Sequence, residues 1–167
     1  MLYLLDANVL IDANNKYYPI EKVPEFWGWL VHLGSTENAK IPVEVYEKIK
    51  KGDDTLAEWL KEQNISDALL FREEVNVQFL QTVMDNGYAP DLTDVESEKI
   101  GEDPFLIAYC MMDLERRCIV TTEVSKPKRL RANRHIPDVC QTMGVQCVDT
   151  FAFLRQMDFN TSWGRGR

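Results

Sequence analysis

The sequence predicts a layered α/β domain built on a mostly parallel sheet. Two observations carry that expectation. Short apolar runs recur along the chain, at Leu2-Tyr3-Leu4-Leu5, Cys118-Ile119-Val120-Thr121-Thr122 and Val145 to Val148. Between them lie segments whose apolar residues stand three and four apart, as Leu56, Trp59 and Leu60 do. Alternation of strands with helical segments is the pattern of parallel sheets, because each return to the same sheet edge needs a crossover.

Each element follows in order. Residues 2–6 read as a first buried strand ending in Asp6, and Val9 to Ala13 as a short helix. Pro24 to Leu33 is an aromatic-rich helical run, and Asn38 to Pro42 a short strand or extended connector. Val43 to Lys51 is a helix stopped by Gly52, after which Asp53-Asp54 offer an N-cap. A longer helix is expected from Leu69 to Met84, ended by Asn86-Gly87. Residues 86–102 are polar and acidic, with Pro90 and Gly101, and read as a surface connection with one helical turn near Val95 to Ile100. A helix over 104–116, a strand over 118–122 and a basic segment at 125–135 come next. A short helix from Pro137 to Met143, a strand at Val145 to Val148 and a helix from Thr150 to Met157 complete the pattern. The expected organisation is one domain over residues 1–157 and a tail over 158–167, frayed from Asn160 onward.

Composition bounds the function. The apolar fraction of 45% is ordinary for a globular chain, and 167 residues suffice to bury a core without staples. Cys110, Cys118, Cys140 and Cys147 form no CxxC pair and sit in apolar contexts, which suits buried thiols in a reducing cytosol better than disulfides or zinc. No run reaches the about 18–20 apolar residues of a membrane span, so a cytoplasmic protein with no membrane contact is expected. The net charge of −8 argues against a module that coats nucleic acid. It leaves room for a nucleic-acid enzyme, whose bound cations reverse the local field.

Four acids stand out. Asp6 ends the first strand, Glu44 lies in the first turn of the helix opened by Pro42, Asp103 precedes Pro104 at a helix start, and Glu123 follows the strand 118–122. In a parallel α/β sheet, strand ends and the following helix starts gather on one edge, where ligands bind. Carboxylates delivered there repel one another unless cations hold them, and hard cations such as Mg²⁺ or Mn²⁺ prefer such oxygen donors. Two ions about 4 Å apart can hold the attacking and leaving oxygens of a phosphodiester. The two histidines, His32 and His135, make a His-rich zinc site a poor match, and GxSxG, GxxxxGK[ST] and GxGxxG are absent. Each acid has an ordinary alternative: Asp103 as a helix N-cap, Glu44 as a complement to the helix dipole, Glu123 as a solvated strand end. Asp6 is harder to dismiss, since a charge after four apolar strand residues must reach the sheet edge or lose its hydration.

The same residues carry a resemblance to the PIN-domain ribonucleases, over about residues 2–150. Leu4-Leu5-Asp6-Ala7-Asn8-Val9-Leu10-Ile11 looks like the first motif of that family, and Pro42-Val43-Glu44-Val45 is similar to the second. Glu102-Asp103-Pro104-Phe105-Leu106-Ile107-Ala108 resembles the third and most specific. Val120-Thr121-Thr122-Glu123 occupies the place of the fourth, with Thr121 two residues before the acid. The resemblance implies a three-layer α/β/α sandwich and Mg²⁺- or Mn²⁺-dependent cleavage of RNA by a metal-activated water. Asp6, Glu44, Asp103 and Glu123 would be the metal-binding and catalytic set, with Asn8 supporting Asp6. Many small members are toxins neutralised by an antitoxin protein and form homodimers, so an antitoxin and a second copy are the implied partners beside the RNA substrate.

The chain also departs from the family pattern. Glu102 stands where Ala is usual and adds negative charge at the mouth, and Glu123 replaces the commoner Asp. Asp138 reads as an N-cap for the helix that follows, or as a fifth acid. Lys126, Lys128, Arg129, Arg131 and Arg134 form the dense basic run of an acidic chain and could grip RNA phosphates, contact an acidic antitoxin segment, or be a solvated loop. Two other functions compete. A catalytically weak or inactive PIN-like scaffold would bind RNA or protein without cutting. A phosphatase of the haloacid-dehalogenase type would need a second Asp two residues after the first, and position 8 is Asn.

Overall fold

The chain is described by a computed structural model over residues 1–165. Its strands are β1 (Leu2–Leu5), β2 (Ala39–Pro42), β3 (Leu70–Phe71), β4 (Arg117–Thr121) and β5 (Gln146–Asp149). They form one sheet in the order β3-β2-β1-β4-β5, with every pairing parallel. β1 is central because Leu4 and Leu5 are fully buried apolar residues that need helices on both faces. Leu4 lies opposite Lys40 of β2 on one edge and Ile119 of β4 on the other.

The helices are α1 (Ala7–Asp12), α2 (Pro24–Ser35), α3 (Val43–Lys50), α4 (Thr55–Leu60), α5 (Gln63–Leu69), α6 (Val77–Thr82), α7 (Asp94–Ile100), α8 (Asp103–Met111), α9 (Ile136–Met143) and α10 (Thr150–Gln156). Single π-helical turns extend α1 over Ala13–Tyr17 and α6 over Val83–Tyr88. The strand order runs outward from β1 to β3, crosses back to β4 and continues to β5. Right-handed crossovers then place the two halves of the chain on opposite faces. The contacts agree: α1, α3, α4, α5 and α2 touch in a chain on one side, and α6, α8 and α9 on the other. α10 joins the first layer through Trp29 and Phe153, whose rings lie 5.5 Å apart. The result is the three-layer α/β/α sandwich with an all-parallel sheet.

Local chemistry accounts for the boundaries. Pro24 opens α2, which buries Phe26, Trp27, Trp29, Leu30 and Leu33. Asp54 caps α4 by accepting the Ala57 N–H at 2.8 Å. Thr93 and Glu96 form a reciprocal capping box on α7, so the acidic connection over 86–102 contains a seven-residue helix rather than one turn.

The continuous helix expected from Leu69 to Met84 does not form. Leu70-Phe71 pair with Ile41-Pro42 as the edge strand β3, and the helix restarts only after Asn76, whose side chain accepts the Gln78 and Phe79 N–H groups. An apolar triplet such as Leu69-Leu70-Phe71 satisfies either period; here the pairing with β2 decides. Arg117 locks that edge, with its guanidinium over the Phe71 ring and two bonds to the Glu73 carboxylate. The helix expected over 104–116 stops at Met111, because the chain must turn at Asp113 to feed β4. The tail is docked rather than frayed: Phe159 packs on Tyr18, Phe26 and Trp29, and the Trp163 indole donates to the Glu25 carbonyl at 2.7 Å. Residues 166 and 167 lie outside the described residues. Among the described residues, no helix is long and apolar enough to cross a membrane.

Candidate acidic site at the switch point of the sheet

The direction of winding reverses between β1 and β4, and the crevice beyond the carboxyl ends of those strands is where open α/β sheets bind ligands. Asp6 stands there, its backbone N–H still bonded to the Val120 carbonyl at 3.0 Å. Its side chain is only 5% exposed. It accepts the Thr121 hydroxyl at 2.9 Å. Thr121 Oγ1 in turn accepts the Glu123 N–H at 3.1 Å. Glu123 Oε2 then accepts the Ile136 N–H at 2.7 Å and so closes the start of α9. One chain of hydrogen bonds thus ties β1, β4 and α9 around the crevice.

Asp103, the first residue of α8, makes no capping bond, so the N-cap alternative does not hold. Burial first, and then the charges of Asp6 and Glu123, push its carboxyl up to about 8, with Lys48 acting in the opposite sense. Burial also raises Asp6 to about 6, against the Thr121 hydroxyl and with a further push from Glu123. Three acids separated widely in sequence therefore meet closely enough that Asp6 and Glu123 oppose the ionisation of Asp103, and Glu123 that of Asp6. The extra charge of Glu102 is matched, since its carboxylate pairs with Lys48 of α3.

Glu44 stands somewhat apart. Its Oε1 accepts the Tyr109 hydroxyl at 3.1 Å, and its Oε2 is buried with no hydrogen-bond partner among the described residues. The charges acting most on Asp103 are those of Asp6, Glu123, Lys48 and Glu102, and Lys48 lies one turn along α3 from Glu44. Asn8 is exposed. Asp138 does not cap α9. It lies buried inside the first turn, where its carboxylate accepts the Ser125 hydroxyl and the Lys126 N–H at 2.7 Å. Burial raises that carboxyl, but those two donors together with the nearby His135 and Arg134 outweigh it and hold it below the usual range.

The basic run divides. Arg131 is bound by Asp91 and Glu96, and Arg134 donates to the Gly87 and Asp138 carbonyls, so both are structural cations. Lys126, Lys128 and Arg129 are exposed. Two residues that no sequence motif marks also belong to the site. Tyr109 holds Glu44, and Tyr88 lines a cavity of about 290 Å³ with Asp103, Glu123 and Arg129. Tyr88 follows Asn86-Gly87, a pair that reads only as a helix stop.

Among the described residues, no three His, Cys, Asp or Glu side chains converge tightly enough to hold a metal ion as they stand. The donor type nevertheless suits a hard cation, being oxygen throughout. Glu44 and Glu123 are each positioned through one carboxylate oxygen, and the buried Glu44 Oε2 lacks the partner that such an atom ordinarily has. The Thr121 hydroxyl is the hinge of this arrangement. Thr121→Val should keep the fold, push the Asp6 carboxyl further up, and reduce any metal-dependent activity about 10–100-fold, as loss of a group that orients a ligand does. Activity equal to wild type in a melting-matched sample would show that the hydroxyl orients nothing. No curated protein and no solved structure matches the chain. The family that does match, over residues 3–161, is described as a domain of unknown function (DUF4411), and the chain belongs to it.

Proposed function

We propose that the protein is a Mg²⁺- or Mn²⁺-dependent endoribonuclease of the PIN-like kind that hydrolyses RNA phosphodiester bonds. The observation that carries this reading is the crowding of Asp6, Asp103 and Glu123 at the switch point, where their charges oppose one another. A divalent cation bound there would neutralise that repulsion, polarise the phosphodiester and lower the pKa of an attacking water. Asp6, Asp103 and Glu123 would hold it, with the uncommitted Oε2 of Glu44 as a further donor. Thr121 keeps Asp6 and Glu123 in register, Tyr109 keeps Glu44 turned inward, and Asp103 must release its proton before it can bind a cation. Following the motif resemblance, we place the protein as the toxin of a toxin–antitoxin pair, working in the cytoplasm and neutralised by a partner protein that covers the acidic crevice.

The test is cleavage of mixed transfer and ribosomal RNA with Mg²⁺ or Mn²⁺, beside a chelator control and Asp6→Asn. Metal-dependent cutting that Asp6→Asn loses is the expected result; cutting that survives the substitution refutes the assignment. One observation favours a second reading, a scaffold that binds RNA or protein without cutting: among the described residues, no three acids converge for ligation as they stand. Undiminished RNA binding with no cleavage in any metal would select it.

A further inference from the structure

We propose that the cavity beside Asp103 and Glu123 is a phosphate subsite for the RNA strand, in which the Tyr88 hydroxyl and the Arg129 guanidinium grip one phosphate group next to the acidic crevice. This inference rests on the nuclease reading. Its first support is Tyr88. The residue is 7% exposed, it lines the cavity, and its hydroxyl is buried without a hydrogen-bond partner among the described residues. Buried hydroxyls almost always have a partner, so an unpartnered one on a residue that lines a cavity points to a ligand or a water held there. Burial first, and then the charge of Asp103, push the phenol well up, so it remains a donor.

The second support is charge. Lys99, Arg129 and Arg134 line the cavity against the carboxylates of Asp103 and Glu123, a cationic excess in a protein of net charge −8. Lys99 is held by Asn133 Oδ1 at 2.6 Å and Arg134 by the Gly87 and Asp138 carbonyls, so they act as fixed charges. Arg129 differs: among the described residues its side chain has no hydrogen bond or ion pair, yet it lines the cavity. A planar, uncommitted guanidinium beside a neutral donor matches the geometry of a phosphate group. The loop that carries it is not loose at its base. The Asp138 carboxylate pins Ser125 and Lys126, and His135 Nδ1 lies 2.8 Å from the Val124 carbonyl. The subsite is thus built, while Arg129 at its mouth is free to reach a ligand.

The experiment uses the full chain with Asp103→Asn to prevent cutting, and a short fluorescein-labelled oligouridylate as probe. Adding Tyr88→Phe or Arg129→Ala should each weaken binding by about tenfold, the scale of one hydrogen bond to a charged group. Arg129→Ala should also lower the slope of log K against log salt by about one, whereas Tyr88→Phe should leave it unchanged. Lys128→Ala, on the same loop but outside the cavity, is the control and should change binding less than either. Because the Tyr88 hydroxyl has no protein partner, Tyr88→Phe should melt no lower than its parent. Unchanged binding in both variants would overturn the subsite. Competition by inorganic phosphate or AMP that Arg129→Ala abolishes supports the subsite even when the wild-type protein cuts no RNA; in that case the nuclease reading alone fails.

Discussion

Asp103→Asn is expected to abolish RNA cleavage and, in the same molecule, to stabilise the metal-free protein at alkaline pH. The amide keeps the size of the side chain but cannot carry the charge that burial, Asp6 and Glu123 resist. The folded-state carboxyl titrates at about 8 against an ordinary 3.8, so the folded protein binds the proton more tightly than the unfolded chain. Stability is therefore undiminished below the unfolded value, falls as pH rises through the interval, and is lowest above about 8. Each unit of such a shift is worth about 1.4 kcal/mol, and about 1 kcal/mol moves the melting temperature by about 2–4 °C in a domain of this size. In a chelator the variant should thus melt several degrees above wild type at alkaline pH and equal to it in acid. Adding Mn²⁺ should raise the wild-type melting temperature and leave that of the variant unmoved. A variant that melts lower than wild type across the whole pH range would mean that Asp103 is a structural group and would remove the central argument for the site.

Gly34→Ala should produce the largest loss of stability, far from the crevice. A Cβ at Gly34 would stand 2.6 Å from the Ala68 carbonyl oxygen and 2.7 Å from Leu69 Cδ2, where α2 meets α5. The same carbonyl accepts the buried Lys40 ammonium of β2 at 2.7 Å. The obstructing atom is backbone and cannot rotate away, so relief requires separating the helices and stretching a hydrogen bond to a buried charge. Overpacking alone costs about 1–3 kcal/mol, and weakening a charged hydrogen bond adds about 1.5–3 kcal/mol. Gly28→Ala on the same helix is the matched control. Its Cβ would meet Trp163 at 3.4 Å, an ordinary contact, and Ala is the better helix former by about 1 kcal/mol. Urea unfolding that ranked Gly28→Ala below Gly34→Ala would contradict the close approach of α2 and α5.

Much of the scaffold was legible in the chain itself, since it depends on local order. The apolar run into Asp6, the Pro residues that open α2 and α8, and the alternation of strand and helix determine the parallel α/β class and deliver Asp6, Asp103 and Glu123 to one edge of the sheet. Tertiary structure decided the rest. Leu70-Phe71 became a strand because β2 offered unpaired backbone there, which no window around residue 70 contains. Glu44 faces Tyr109, 65 positions away, and the structural share of the basic run was set by Asp91, Glu96 and the Gly87 carbonyl on other elements. Tyr88 joined the site only because the π-helical turn after α6 packs against α8 and α9. A capping residue or an apolar period declares itself within a few neighbours, whereas the partner of a buried polar atom is chosen by packing between segments far apart in sequence.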